Sequence, residues 1–115
     1  MPRDGATELY QRLVGQAVHR GRGEDWYELG CFLNEMRKWG AAAGCFGRAA
    51  GLLPGDHRAW CNLGWMRHLQ GDPAGAELGL RRAIALAPGV GMPRALLCQV
   101  LAAFRPVGRT SQPHP

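Results

Sequence analysis

Side chains that act as nucleophiles, general bases or metal ligands are few and dispersed in this chain. The histidines are His19, His57, His68 and His114; the cysteines are Cys31, Cys45, Cys61 and Cys98; Ser111 is the single serine and Lys38 the single lysine. Nucleophilic catalysis needs a nucleophile, a base and a group that orients the base. Neither His57 nor His68 has a carboxylate on its own helix to orient it. The cysteines show no C-x2-C or C-x2–4-C spacing, so neither a zinc site nor a disulfide framework is expected. There is no H-E-x-x-H sequence and no glycine-rich loop ending in Lys-Ser/Thr. The residue types therefore predict no catalytic residues, no metal and no cofactor.

Composition narrows the class further. Apolar residues make up 46% and charged residues 20% of the 115 positions, the balance of one small globular domain. The net charge of +5 is carried at the ends. Arg3, Arg12, Arg20 and Arg22 face only Asp4 and Glu8, and Arg105 and Arg109 face no acid, whereas residues 24–104 are nearly balanced. A nucleic-acid module carries its basic charge as a stripe on a folded face, so nucleic acid is not the expected partner. The first residues lack an apolar signal core and no run approaches a membrane span. The expected location is cytoplasmic, with reduced thiols and no membrane contact.

Apolar spacing places these residues on helices. Leu9, Leu13, Val14, Ala17 and Val18 mark one face of a helix over 6–20, closed by Gly21-Arg22-Gly23. Trp26, Leu29, Leu33 and Met36 mark a second over 24–37, and Ala42, Phe46, Ala49 and Leu53 a third from about 39 to 52. Pro54-Gly55-Asp56 separates these from a helix over 57–69. Gly71-Asp72-Pro73 then opens one running to about 87, and a last apolar helix spans 93–104.

The middle of the chain repeats. Trp60, Leu63-Gly64, Ala76, Leu80, Ala83 and Pro88 recur 34 residues earlier as Trp26, Leu29-Gly30, Ala42, Phe46, Ala49 and Pro54. W-x2-L-G, then A-x3-F, then P at this period is the pattern of the tetratricopeptide repeat, and the chain resembles that family. The resemblance implies an all-α fold, a short right-handed solenoid of antiparallel helix hairpins. Residues 1–22 would form a lead-in and covering helix, 23–56 and 57–90 two repeats, 91–104 a capping helix and 105–115 a disordered tail.

In that family the concave face, lined by the first helix of each pair, binds a peptide or helix of a partner. Carried over by position, the lining here is Tyr27, Cys31, Asn34 and Glu35, then Arg58, Cys61, Asn62, Trp65, His68 and Leu69, then Leu96 and Gln99. Trp65 is a tryptophan that the repeat itself does not need, which makes it a candidate anchor. Asn62 suits a peptide backbone, and Tyr27 combines an apolar ring with a polar tip. Co-chaperones of the family clamp a terminal carboxylate with Lys, Asn, Asn, Lys and Arg. The matching positions here are Tyr27, Cys31, Asn62, Met92 and Leu96, so no heat-shock carboxylate clamp is expected. The resemblance thus implies a non-enzymatic adaptor that takes an amphipathic helix or apolar peptide. The alternatives are a secretion-type chaperone for one dedicated client and, more remotely, a nucleic-acid accessory protein using its basic ends. The apolar last helix (Leu96, Leu97, Val100, Leu101) adds self-association as an expectation.

Overall fold

In the computed structural model, which describes residues 5–104, six helices follow one another: α1 (Gly5–Arg20), α2 (Gly23–Glu35), α3 (Trp39–Leu52), α4 (His57–Leu69), α5 (Pro73–Leu86) and α6 (Gly91–Phe104). Each packs on its neighbours in sequence, and α4 also touches α6. The expected all-α solenoid of helix hairpins is the observed architecture; the tail at 105–115 lies outside the described residues. Helix bounds differ from expectation by two residues or fewer. Asp56 caps α4 by accepting the Arg58 N–H at 3.0 Å, and Asp72 caps α5 by accepting that of Gly75 at 2.9 Å.

Close approach within each hairpin rests on a missing side chain. A Cβ on Gly64 would lie 2.9 Å from the Ala76 carbonyl oxygen and 3.0 Å from the Leu80 nitrogen, and one on Gly30 would lie 2.8 Å from the Phe46 ring. Ala42, Phe46, Ala49, Ala76, Leu80 and Ala83 are all buried in the space this creates. The turns follow the same period with one irregularity. Gly71 adopts φ +83°, whereas Arg37, its counterpart one repeat earlier, is forced to φ +60°. For a non-glycine residue that conformation costs about 1–2 kcal/mol.

The outer helices relate differently to the repeat. In α6, Pro93, Leu97 and Val100 are buried, the positions of Ala59, Leu63 and Met66 in α4. Arg94 stands where Trp60 would recur, yet it keeps that residue's hydrogen bond. Trp60 Nε1 donates to the Pro54 carbonyl at 3.0 Å, and the Arg94 guanidinium donates to the Pro88 carbonyl. Helix α1 instead buries Leu13 and Ala17 with Leu9 half-buried, one residue out of the repeat's register. A one-residue offset is a rotation of about 100°, which is why Glu8 and Arg12 are free to face outward. Leu97 and Val100 are buried within the chain and Leu96 and Leu101 half-buried, so the stripe expected to drive self-association is largely used against α5.

The α1–α2 junction holds the one buried charged residue described, Asp25, which is 2% exposed. Its carboxylate meets Arg20 Nη2 at 2.5 Å and Arg22 Nε at 3.5 Å, and it accepts the Arg22 backbone N–H at 3.3 Å. Burial opposes its ionisation, but the Arg20 hydrogen bond and charge, with the Arg22 N–H, outweigh burial and hold the pKa below the ordinary aspartate value.

Three outcomes follow for stability. Gly64→Leu costs about 1–3 kcal/mol in denaturant melts, because the added side chain meets backbone atoms. Gly44 and Gly47 of α3 face no atom within 4 Å, so Gly44→Ala and Gly47→Ala each stabilise by about 0.5–1 kcal/mol. A depressed folded pKa gives stability that is complete above the unfolded value and lost as pH falls below it. The Tm gap between wild type and Asp25→Asn is therefore full at neutral pH and closes as pH falls below about 4.

Candidate functional site

Tyr27 occupies the centre of the surface formed by the first helices of the hairpins. Its ring meets Phe46 edge-on, with centroids 5.5 Å apart. Its hydroxyl accepts a 2.9 Å hydrogen bond from Asn62 Nδ2, and the Arg58 guanidinium lies 4.7 Å above the ring. Arg58 is itself fixed by Asp56 through Nε at 3.1 Å and Nη2 at 2.8 Å. The Tyr27 side chain is therefore held from α3 and from two positions of α4.

Two clefts meet at this ring. The first, about 220 Å³, lies between α2, α4 and the start of α6 and is lined by Tyr27, His57, Arg58, Cys61, Asn62, Val90, Met92 and Pro93. The second, about 290 Å³, lies between α1 and α2, where Leu9, Leu13, Cys31 and Phe32 form its apolar part and Arg12, Glu28 and Glu35 its charged edge. Of the expected lining, Tyr27, Cys31, Glu35, Arg58, Cys61 and Asn62 are thus brought together.

The remainder are not. Trp65 lines neither cleft; it is half-buried between two core clusters, its ring 4.8 Å from that of His68. The candidate anchor is partly spent on joining the hairpins. His68 lines a separate hollow with Gly71, Pro73, Val100 and Ala103. Leu69 and Gln99 are exposed, Asn34 is half-buried, and Leu96 packs on the α5–α6 core. Sequence reasoning missed Val90 and Pro93, and weighed Met92 only as a clamp position. One signal was readable: Val90 stands where the preceding repeat has its capping Asp56, and an apolar residue there turns a helix start into cleft wall.

The titratable side chains of Tyr27, Cys31 and Cys61 in the two clefts are set mainly by burial. Burial is the main influence on Cys31 and Cys61 and pushes both thiols up; for Cys31 the Tyr27 hydrogen bond opposes burial and Glu35 reinforces it. Both stay protonated at neutral pH and offer no thiolate nucleophile. Burial likewise pushes the Tyr27 phenol up, with Arg58 and Asn62 opposing. Among the described residues no three His, Cys, Asp or Glu side chains gather as metal ligands. Arg58 lies over Tyr27, and its charge is already met by Asp56. The basic amino-terminal segment is also partly engaged, since Arg20 and Arg22 pair with Asp25.

No protein-family model matches the chain, and no curated protein matches it. Solved structures do. The fold is similar to the crystal structure of the MamA protein, with a TM-score of 0.69 and 19% identity over 86% of this chain and 60% of that one. It is also similar to a chain of the CopN–Scc3 complex, with a TM-score of 0.58 and 15% identity over 87% of this chain and 69% of that one. The chain spans about 60% of the MamA chain. At such identities the likeness is one of fold, and the fold is tetratricopeptide-like. No helix among the described residues is long and apolar enough to cross a membrane.

The geometry sets an order of thiol reactivity. Cys98 is exposed, whereas Cys31 is half-buried with a raised pKa. At pH 7.5 iodoacetamide modifies Cys98 at least about tenfold faster than Cys31, as peptide mass mapping of a time course would show.

Proposed function

We propose that the protein is a non-enzymatic adaptor that binds an amphipathic helix or apolar peptide of another protein across the two clefts. The observation that carries this reading is the fixed Tyr27 ring shared by both. A preorganised aromatic loses little freedom when a ligand packs on it. Around it, Val90 and Met92 on one side and Leu9 and Phe32 on the other offer apolar contact. Asn62, Arg58, Glu28 and Glu35 supply the polar edge that sets orientation. Helix-in-groove recognition has this composition, an apolar floor with polar margins.

The partner is not a carboxylate-terminated heat-shock peptide on this reading, because Tyr27, Cys31, Met92 and Leu96 cannot repay the desolvation of a carboxylate. Nucleic acid is disfavoured by the pairing of Arg20 and Arg22 with Asp25. The four cysteines are unpaired, which suits a cytoplasmic protein. One of the similar folds was solved as a protein complex, CopN–Scc3, in keeping with a protein partner.

The test is affinity capture from a lysate of the source cells, followed by titration with the purified protein that is captured. Met92→Glu and Asn62→Ala alter the first cleft at an exposed and a half-buried position without emptying the core. Either weakens binding about tenfold or more, as central interface positions do. Leu78→Ala, on the exposed face of α5, leaves binding unchanged. Equal binding by all three variants would sink the groove reading.

A further inference from the structure

The outer surface of α3 and α5 carries a pair of side chains that recurs with the repeat. Arg48 lies over the Trp26 ring, its guanidinium carbon 4.8 Å from the centroid, and Arg82 lies over Trp60 at 5.2 Å. One helical turn on, Leu52 and Leu86 are 53% and 39% exposed. The two copies read Arg-Ala-x-x-Leu-x-Pro-Gly, at 48–55 and 82–89. Residues four apart share a helix face, and stacked repeats present equivalent positions side by side. The two Arg–Leu pairs form a ridge joined through α4, whose Trp60 packs on the Ala49–Ala50 cluster of α3 and carries Arg82. Neither groove cleft draws a residue from α3 or α5, so the ridge is a separate surface.

Its arginines are positioned but not neutralised. Among the described residues, ion pairs engage Arg20 and Arg22 with Asp25, Arg58 with Asp56, Arg67 with Asp72 and Arg81 with Glu77. Neither Arg48 nor Arg82 meets a carboxylate. Helix α3 contains no acidic residue, and Glu77 of α5 is occupied by Arg81. A guanidinium laid on an indole keeps its N–H edge available and has already given up part of its rotamer freedom. The leucine beside it offers apolar area to whatever follows the carboxylate.

We propose that this ridge is a second docking surface, for an acidic segment of a partner protein in which Asp or Glu alternates with Leu or Phe. Carboxylates pair with Arg48 and Arg82, and apolar side chains lie on Leu52 and Leu86. Single-stranded nucleic acid fits less well, because it stacks bases on open aromatic faces and these indoles are covered by arginine. An anionic bilayer needs a larger basic cluster than two residues.

The experiment uses the full-length, isotope-labelled protein and a synthetic twelve-residue peptide alternating Glu and Leu, with a Lys/Leu peptide as control. Saturable shifts are expected at the Arg48 and Arg82 Nε–H signals and the Leu52 and Leu86 methyls. Arg48→Glu with Arg82→Glu raises the Kd at least about tenfold. Leu52→Ser with Leu86→Ser, which leaves the arginine–indole contacts in place, also weakens binding. Absence of saturable shifts there, shifts confined to Tyr27 and Asn62, or equal binding of the Lys/Leu peptide would overturn the proposal. So would binding of phosphatidylserine vesicles or single-stranded RNA at these residues in place of the peptide. The groove reading is independent of each outcome, since the Met92 and Asn62 variants test it separately.

Discussion

Everything in this fold depends on two helices of a hairpin touching where one of them has no side chain. At Gly64 the opposing backbone is within van der Waals reach, and at Gly30 the Phe46 ring is. That contact sets the distance at which Ala42, Phe46 and Ala49, then Ala76, Leu80 and Ala83, can be buried. It also sets the orientation of the residues on the opposite side of each first helix. Tyr27 and Asn62 meet across α2 and α4, with the Tyr27 ring backed by Phe46 of its own hairpin. The hydrogen bond between them is a readout of the packing behind it.

The molecule is therefore two-sided. The first helices present polar and aromatic side chains around two clefts, and the second helices present arginine over indole. The same tryptophans that define the repeat serve both sides: Trp60 joins the hairpin cores, bonds the Pro54 carbonyl and supports Arg82. Replacing Trp60 by Arg94 in α6 keeps the carbonyl contact and removes the aromatic platform. The last helix thereby continues the packing without continuing the outer surface.

Much of this was legible because the 34-residue period is written in large and small apolar residues, whose spacing is a direct record of burial. Trp26, Gly30, Ala42 and Phe46 could be placed from sequence, as could the caps Asp56 and Asp72. The site was legible only in part. Tyr27 is readable as a groove residue, but its fixation comes from Arg58 and Asn62, more than thirty residues away, and no local pattern encodes a long-range hydrogen bond. The partial burial of Trp65 is hidden from sequence for the converse reason. A tryptophan surplus to the hairpin was free to fill the seam between hairpins, which only the assembled stack creates. The burial of Asp25 is not written locally, because it depends on how α1 turns back over α2.

Helix α3 has a further consequence for how the molecule moves. It packs against both α2 and α4, yet four of its fourteen residues are glycine. Glycine leaves backbone hydrogen bonds open to water and adds to the entropy released when a helix opens. Solenoids usually loosen from their ends, where each unit has one neighbour. Here the most glycine-rich of the described helices is internal. Its amides should exchange with solvent through sub-global opening rather than through fraying. The chain then behaves less as one cooperative unit than as two halves joined by a soft centre, and a partner bridging both halves would raise the cooperativity of the whole.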